Sequence, residues 1–420
     1  MKKIMDIKMM IAGAVAASGS LLQLSDERNA AILRKVAQAL VENEESILAA
    51  NRKDLERMDV SNPDYDRLRL DSGRLRGIAA DMEAVSRLPL PWGKVLSETT
   101  RPNGMVIRKV AVPFGVIGVI YEARPNVTAD VFSLCFRSGS ACVLKGGHDA
   151  DFSSRAIVEV VRRILAAEGL PEGLCTLLPA ERESTAVMLD AVGEIDVIIP
   201  RGGRGLIDYV RDNSRVPVIE TGAGVCHTYV DTGADMEKSR EVVLNAKTRR
   251  VSVCNALDCL IIHRDRLADL PEICHPLADK GVRIYADSAA MEHLTGNYPQ
   301  ELLVEAEEEH YGKEFRDYAM AVKTVDSLDE ALKHIAAHGS HHSECIMTED
   351  TAAAARFQRD VDASCVYVNV STAFTDGAQF GFGAEVGIST QKLHARGPMG
   401  LPELTTYKYL ITGNGQTRNP

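Results

Sequence analysis

The stretches VIGVI at residues 116–120 and ACVLKGG at residues 141–147 decide the fold of this chain. Each begins with a short, largely apolar run, and VII at 197–199 and VPVI at 216–219 continue the series. Between them lie helical patterns such as residues 157–165, whose apolar side chains share a face opposite Arg162 and Arg163. Buried strands that alternate with helices predict a doubly wound, mostly parallel α/β sheet, which binds ligands at the carboxyl ends of its strands.

The flanking segments have other patterns. Residues 24–57 carry apolar side chains at helical spacing with charges on the other face, which predicts a helix. Residues 105–112 alternate apolar and cationic side chains, and residues 404–412 are a second strand-like stretch. We expect these two half-exposed strands to pair with a neighbouring subunit, so the chain is predicted to be a homo-oligomer, a dimer or higher.

Composition excludes several classes of protein. At 420 residues with 45% hydrophobic content, the chain is long enough for two or three domains. A net charge of -11 argues against nucleic acid and anionic membranes as partners, because both attract basic surfaces. Nine cysteines without a C-x-x-C pair fit the reduced thiols of a cytosol. The apolar N-terminus is unlike a secretory signal, because Asp6 and Lys8 interrupt it, and we predict a cytoplasmic location.

Two glycine-rich turns follow predicted strands. Lys145, with Gly146 and Gly147, ends the 141–144 run, where a nucleotide ribose or phosphate is the natural partner. A solvated lysine in a glycine turn is the alternative. Residues 200–205 read PRGGRG and precede a helical pattern, so helix N-terminal amides next to arginine predict a phosphate-binding arrangement, with a surface turn as the alternative.

Three other motifs are less informative. GFGAEVG at 381–387 lacks the spacing and the βαβ context of a dinucleotide fingerprint, and we interpret it as a flexible loop near the site. Cys226 and His227 are neighbours in an extended segment and point to opposite faces, so they cannot form a dyad. His341 and His342 lack acidic or thiol partners at ligand spacing, and we predict no metal.

The stretch KTRRVSVCNA at residues 247–256 is the best candidate for a nucleophile. Cys254 follows three cations, Lys247, Arg249 and Arg250, which should favour its thiolate, the reactive form. The other eight cysteines have no comparable setting. Because cysteine is among the most buried residue types, an inert core thiol is the alternative.

Five motifs together resemble a known family. They are PFGVIGVIYEARPNVT at 113–128, IPRGG at 199–203, CH at 226–227, VCNA at 253–256 and GAEVGISTQKLHARGPMGL at 383–401. They cover nearly the whole chain in family order, and the last is highly specific. The chain thus resembles the aldehyde dehydrogenase superfamily and, within it, the γ-glutamyl phosphate reductase (glutamate-5-semialdehyde dehydrogenase) family.

The resemblance implies an aldehyde-dehydrogenase-like α/β fold with two doubly wound, mostly parallel-sheet domains plus a β-flap for oligomerisation. A nucleotide-binding domain would comprise residues 1–98, 113–225 and 360–395. A catalytic thiol domain would comprise residues 226–359, and residues 99–112 and 396–420 would form the flap.

The resemblance also implies an activity. This is the NADPH-dependent reduction of L-glutamyl 5-phosphate to L-glutamate 5-semialdehyde plus phosphate, through a cysteine thioester, as the second step of proline biosynthesis from glutamate. NADPH/NADP is favoured over NADH by the resemblance alone. A small-molecule substrate and functional coupling to glutamate 5-kinase are implied in the same way.

Roles follow for individual residues. Cys254 matches the nucleophile, and Asn126 matches the asparagine of the oxyanion hole. Lys145 matches the lysine that contacts the adenosine ribose, and Glu314 matches the carboxylate that holds the nicotinamide ribose. Glu220 stands where general aldehyde dehydrogenases carry a deacylating base, which a reductase of an acyl phosphate does not need. The other predicted binding residues are two glycines for the cofactor and three arginines for the substrate's phosphate or carboxylate: Gly202, Gly203, Arg124, Arg201 and Arg204.

Two alternatives stay open. One is an acylating aldehyde dehydrogenase that uses coenzyme A in place of phosphate. The other is a thiol-dependent acyltransferase or hydrolase without a redox step.

Overall fold

The structure, a computed structural model, describes residues 2–60, 62 and 65–418. The predicted domain ranges also include residues 1, 61, 63, 64, 419 and 420, which lie outside the described residues. The α-helices are α1 Lys2–Ser18, α2 Asp26–Glu42, α3 Glu44–Leu55, α4 Tyr65–Leu68, α5 Ser72–Arg87, α6 Pro125–Arg137, α7 Asp151–Ala167, α8 Arg182–Leu189, α9 Arg204–Asn213, α10 Met236–Thr248, α11 Leu270–Ala278, α12 Ser288–Leu294, α13 Glu308–Tyr311, α14 Leu328–His338 and α15 Thr351–Asp360.

The strands are β1 Val95–Thr100, β2 Val106–Pro113, β3 Val116–Tyr121, β4 Ala141–Lys145, β5 Cys175–Leu177, β6 Val197–Arg201, β7 Cys226–Val230, β8 Leu257–His263, β9 Arg283–Ala286, β10 Leu303–Glu305, β11 Ala319–Val325, β12 Ser343–Met347, β13 Cys365–Val368, β14 Ile388–Ser389, β15 Gly397–Pro398 and β16 Thr405–Thr412.

These elements form two compact units. Unit 1 consists of Met1–Thr221, Gly381–Gly387 and Met399–Pro420, and unit 2 consists of Gly222–Phe380 and Ile388–Pro398. The predicted boundaries differ from this division, because residues 222–225 and most of 360–395 belong to unit 2. The physical reason is that β13 pairs in parallel with β12 and so extends the sheet of unit 2.

Unit 1 contains the predicted doubly wound sheet. Its strands are parallel, in the order β5-β4-β3-β6, and helices α6, α7 and α8 connect them. The chain winds outward from β3 to β5 and then returns to the other side of β3, so the carboxyl ends of β3 and β6 flank a topological switch point. Lys145 lies opposite Ile120, and Arg201 lies opposite Tyr121, so these strand ends share one edge.

One predicted strand is wrong. Residues 216–219 make only an isolated bridge, between Ile198 and Val218. The Pro217 carbonyl accepts from the Ile198 N–H, and the Ile219 N–H donates to the Ile198 carbonyl. Because proline has no N–H of its own, the segment cannot extend the ladder.

The N-terminal region is helical. The single helix predicted over residues 24–57 is two helices, α2 and α3, which meet at Asn43. In front of them, α1 buries Ile7 and Ile11 and packs so closely on a turn of unit 1 that a Cβ on Gly173 would lie 2.5 Å from the Gly13 carbonyl oxygen. Among the described residues, Lys3–Gln23 alone has the length and composition of a membrane span, with 28% of its window buried, a weak signal that core helices also give.

The two predicted flap strands are present, and within the chain they pair with each other. β16 pairs antiparallel with β2 within the chain, from Thr405 opposite Pro113 to Thr412 opposite Val106, and β1 pairs with the other edge of β2. All of β1 and nearly all of β16 are exposed. Pairing with a neighbouring subunit stays a prediction.

Unit 2 contains a second parallel sheet, with the strand order β10-β9-β11-β8-β7-β12-β13. Because the strands are parallel, the segments that precede β7, β8, β11 and β12 all reach the same, amino-terminal edge. Those segments carry Gly224, Cys254, Glu314 and His342.

A buried arginine fixes the helix layer of unit 1. Arg137, at the end of α6, is 2% exposed. Its guanidinium donates to the Leu88 carbonyl, to Asn29 Oδ1 and to the Asp26 carboxylate. It therefore holds α6 against α2 and against the segment that follows α5.

We expect Arg137→Met to lower the free energy of unfolding by about 3 kcal/mol, because it leaves these acceptors without their buried donor. Arg163→Met is the matched control, since Arg163 is exposed on α7 and its loss should cost less than about 0.5 kcal/mol. Equilibrium denaturation monitored by circular dichroism measures both. Equal unfolding midpoints for the two variants would contradict this role.

Candidate active site

Cys254 lies in the loop between α10 and β8. It is partly exposed, whereas the other eight cysteines are buried, and none of the nine forms a disulfide. Partial exposure sets Cys254 apart from a fully buried core thiol, the alternative that the sequence left open.

Gly224 joins the Cys254 loop to the Glu314 loop. A Cβ at position 224 would lie 1.6 Å from the Cys254 carbonyl oxygen, so only glycine fits there. The Gly224 N–H donates to Glu314 Oε1 at 3.4 Å, and Arg316 Nε lies 3.1 Å from Glu314 Oε2. The structure thus brings together two residues, Cys254 and Glu314, that the sequence predicts for the site separately.

Lys247, one of the three cations expected to favour the Cys254 thiolate, is engaged elsewhere. Lys247 is buried and donates to the Leu257 carbonyl at 2.9 Å, and its Nζ lies 3.8 Å from Asp258 Oδ1. Burial lowers the pKa of Lys247 and raises that of Asp258 to about 7. The Lys247 charge is therefore paired inside the unit, and Arg249 and Arg250 are exposed to water.

A buried polar network supports the other side of the Cys254 loop. Asn255 Nδ2 donates to the Ala373 and Thr375 carbonyls at 3.3 and 2.9 Å, and the Thr372 hydroxyl donates to the Asn255 carbonyl at 2.8 Å. The Cys226 thiol donates to the Cys254 carbonyl at 3.2 Å. The loop that carries the thiol is therefore fixed on both sides by hydrogen bonds.

Cys226 and His227 diverge as predicted. The Cys226 thiol reaches the Cys254 carbonyl and approaches His342 Nδ1 at 3.8 Å. His227 Nδ1 instead pairs with Glu344 at 2.9 Å. Alternation along β7 sends the two side chains to opposite faces of the sheet.

In unit 1, Lys145 ends β4 at the carboxyl edge of the sheet. It is half-buried, and burial lowers its pKa, while Glu181 and Asp151 act in the opposite direction. A Cβ on Gly146 would lie 3.3 Å from the Tyr121 ring, so the turn after Lys145 packs directly on β3. The lysine is thereby held at the edge where ligands of such sheets bind.

Glu122 is a site residue that the sequence did not predict. Its Oε2 accepts the Gly203 N–H at 2.8 Å, at the N-terminus of α9, and would lie 2.5 Å from a Cβ on Gly202. The amide predicted to bind a phosphate is therefore engaged by a carboxylate, which a phosphate would have to displace. The feature of the sequence that could have identified Glu122 is its position directly after β3, at the edge of the sheet where ligands bind.

The three candidate arginines have different settings. Arg201 ends β6 and lies against Gly387, where a Cβ would meet its Nη1 at 2.5 Å. Arg124 is the N-cap residue of α6 and is half-buried. Arg204 is 81% exposed and lies 3.7 Å from Asp208.

Glu220 occupies the position at which general aldehyde dehydrogenases carry their deacylating base. Its carboxylate lies 3.5 Å from Arg211.

Asn126 lies in the first turn of α6 and has a partner within the helix. Its Nδ2 donates to Asp130 Oδ2 at 2.9 Å, one helical turn later. Burial raises the pKa of Asp130 to about 7. The hydrogen bond from Asn126 and the charge of Arg201 lower this pKa, whereas the charge of Asp81 raises it further. Asp130 therefore orients the Asn126 amide, and its i,i+4 spacing was visible in the sequence.

The raised pKa of Asp130 predicts a pH-dependent stability. Between pH 4 and pH 7 the unfolded chain loses this proton while the folded chain keeps it, so folding becomes less favourable as pH rises. Asp130→Asn removes that penalty, so its unfolding temperature should exceed that of the native chain by a margin that grows from pH 5 to pH 8. The corresponding gain in the free energy of unfolding is at most about 4 kcal/mol.

Calorimetry across this pH range tests the prediction. Asp6→Asn is the control, since Asp6 is exposed on α1 and water solvates it in both states. A difference between Asp130→Asn and the native chain that is flat with pH would show that Asp130 titrates normally.

Comparison with known proteins identifies the family of the chain. The family model described as the aldehyde dehydrogenase family matches residues 2–280. The γ-glutamyl phosphate reductases of Parabacteroides distasonis and Bacteroides thetaiotaomicron are 65% and 59% identical, over 99% and 97% of this chain and 100% and 98% of theirs. The crystal structure of γ-glutamyl phosphate reductase from Thermotoga maritima superposes with a TM-score of 0.94 at 39% identity, covering 98% of this chain and 100% of that one. The chain therefore belongs to the aldehyde dehydrogenase family and, within it, to the γ-glutamyl phosphate reductases.

Proposed function

We propose that this chain reduces L-glutamyl 5-phosphate to L-glutamate 5-semialdehyde with NADPH, releasing phosphate, in the second step of proline biosynthesis from glutamate. One observation carries the proposal. The backbone of Gly224 contacts both the carbonyl of Cys254, the partly exposed cysteine predicted to be the nucleophile, and the carboxylate of Glu314, the predicted ribose ligand.

Cys254 is the nucleophile of the proposed reaction. Its thiolate attacks the γ-carbonyl carbon of the acyl phosphate, a carbon–sulfur bond forms, and the carbon–oxygen bond to phosphate breaks with its electron pair leaving on phosphate. The product is a thioester on Cys254. Reduction of this thioester returns the sulfur as a thiolate and releases the aldehyde.

Two donors are assigned to the oxyanion that forms at the carbonyl. One is the backbone N–H of Cys254, and the other is the Asn126 amide, whose Nδ2 has a second hydrogen beyond the one given to Asp130. Losing one such donor costs about 3 kcal/mol of transition-state stabilisation.

A nicotinamide cofactor fits the chemistry of the residues assigned to it. A reduced nicotinamide supplies the hydride when bound. Lys145 offers an ammonium at the strand edge of unit 1 and is assigned to the adenosine ribose, and Glu314 offers a carboxylate to ribose hydroxyls. Gly202 and Gly203 are assigned to the cofactor as well, and Gly202 packs so closely on Glu122 that a Cβ there would collide with its carboxylate. Preference for NADPH over NADH rests on the family.

Substrate anions are assigned to Arg124 and Arg201. Both are half-buried near the carboxyl ends of β3 and β6, whereas the exposed Arg204 is the weakest of the three candidates. No hydrolytic role is assigned to Glu220, because water attack on the thioester would be a wasteful side reaction.

We also propose where the enzyme is located and what it associates with. The buried stripe of α1 supports a cytoplasmic protein rather than an exported one. The exposed strands β1 and β16 support a homo-oligomer, and the reactivity of an acyl phosphate supports functional coupling to glutamate 5-kinase.

The assay of the pure protein tests the function. NADP should be reduced by glutamate 5-semialdehyde in the presence of phosphate, and Cys254→Ala should abolish turnover while NADPH binding, measured by fluorescence, is retained. Cys274→Ala, a buried cysteine on α11, should keep native turnover. Substantial turnover by Cys254→Ala would overturn the assignment of the nucleophile.

The same assay separates the alternatives. Coenzyme A in place of phosphate would support turnover only in an acylating dehydrogenase. A non-redox acyltransferase or hydrolase would leave the absorbance of the nicotinamide unchanged with either acceptor.

Gly224→Ala should lower turnover by about a hundredfold, because the new Cβ must displace the Cys254 carbonyl, and a shift of about 1 Å at the reacting group costs that much. Gly77→Ala is the matched control, since Gly77 lies in α5 with nothing within 4 Å of an added Cβ. Both are measured as kcat with NADPH binding in parallel. Native kcat in Gly224→Ala would show that the Cys254 loop is not held by this contact.

A further inference from the structure

A cluster of buried side chains in unit 2 lies outside the proposed reaction. His227 on β7, Cys259 on β8 and His334 on α14 are buried, and one donor atom from each lies within 4.8 Å of the others. His227 and Cys259 are register partners in the parallel pair β7–β8, so their side chains share a face of the sheet. Residues of α14 pack on Cys259 in the same core, and His334 completes the cluster.

His227 is oriented as zinc-binding histidines are. Its Nδ1 lies 2.9 Å from Glu344 Oε2, and its backbone N–H donates to the same oxygen at 2.9 Å. Because the carboxylate accepts the Nδ1 proton, Nε2 carries a lone pair. That Nε2 is buried in a side chain that is 0% exposed and has no hydrogen-bond partner within residues 2–60, 62 and 65–418. A carboxylate behind a histidine is the usual support of a zinc ligand.

Cys259 and His334 have the spacing of two ligands of one ion. Cys259 Sγ lies 3.6 Å from His334 Nε2. In a tetrahedral zinc site with Zn–S of about 2.3 Å and Zn–N of about 2.0 Å, sulfur and nitrogen lie about 3.5 Å apart.

We propose that His227, Cys259 and His334 form a binding site for one thiophilic divalent cation of the zinc class. One sulfur and two imidazole nitrogens select zinc over magnesium or calcium, which take oxygen ligands. The fourth position is left to a small exogenous ligand. The cation replaces the Cys259 thiol proton, which passes to solvent, and it satisfies the His227 lone pair. This proposal departs from the prediction that the chain holds no metal, which rested on the spacing of His341 and His342 and on the lack of a C-x-x-C pair.

The competing state is a plain hydrogen bond from the Cys259 thiol to His334. It leaves His227 Nε2 unsatisfied in the core. Metal binding and this hydrogen bond exclude one another, because both use the Cys259 sulfur and His334 Nε2.

Cobalt(II) is the spectroscopic probe for the site. The full chain is used with Cys254→Ser, which removes the accessible thiol that soft metals would otherwise find. We expect one Co²⁺ per chain with a thiolate-to-cobalt charge-transfer band, displaced by one equivalent of Zn²⁺. X-ray absorption of the zinc form should report one sulfur and two imidazole nitrogens.

Substitutions in the cluster test whether the charge-transfer band arises from these three residues. In the same background, Cys259→Ala should abolish it and His334→Gln should weaken metal binding at least about tenfold, whereas Cys274→Ala, which removes another buried cysteine of unit 2, should leave it unchanged. Zn²⁺ should raise the unfolding temperature of the background chain but not of Cys259→Ala.

The absence of a thiolate band at one equivalent of Co²⁺ would overturn the proposal, as would a band that survives Cys259→Ala. The parent spectrum decides the matter even if the substituted chains fail to fold. None of these readouts depends on turnover, so failure of the metal site and failure of the proposed reaction are distinguishable.

Discussion

The contact between Gly224 and the Cys254 carbonyl is the constraint on which the arrangement of unit 2 depends. It requires a residue without a Cβ, because any side chain there would overlap the carbonyl oxygen. Since the Gly224 N–H also reaches Glu314, one backbone position sets the distance between two loops that are 60 residues apart in sequence. The network through Asn255 and Thr375 holds the same loop from its other side. A nucleophile held by backbone contacts loses little rotational freedom when it reacts.

The two units place their candidate residues at opposite kinds of sheet edge. In unit 1, Lys145 and Arg201 end parallel strands at the carboxyl edge, beside the switch point, as the rule for doubly wound sheets predicts. In unit 2, Gly224, Cys254 and Glu314 precede strands and lie at the amino edge. The general rule therefore locates the ligand edge of unit 1 but gives no guidance to the thiol of unit 2, whose place is set by local loop contacts.

This difference explains how much the sequence could predict. Strands β3, β4 and β6 were predictable because buried parallel strands are continuous apolar runs. Pro217 defeated the same reasoning at 216–219, where the apolar pattern is present but the hydrogen-bond donor is missing. Asp130 was detectable from its helical spacing to Asn126, whereas the engagement of Glu122 with Gly203 depends on two strand ends that meet only in the folded sheet. The β13 segment was assigned to the wrong unit because strand pairing across long separations leaves no local signal.

The role of the basic stretch before Cys254 follows from what Lys247 contacts. Its ammonium faces Asp258, and Asp258 Oδ1 accepts the N–H of Phe315 at 3.1 Å, next to Glu314. The lysine therefore supports the loop that carries Glu314. Exposure separates the cysteines instead: for five of the eight buried ones, Cys135, Cys226, Cys259, Cys274 and Cys345, burial raises the thiol pKa and favours the protonated form. Partial exposure therefore distinguishes Cys254 from the eight buried cysteines as the candidate for nucleophilic chemistry.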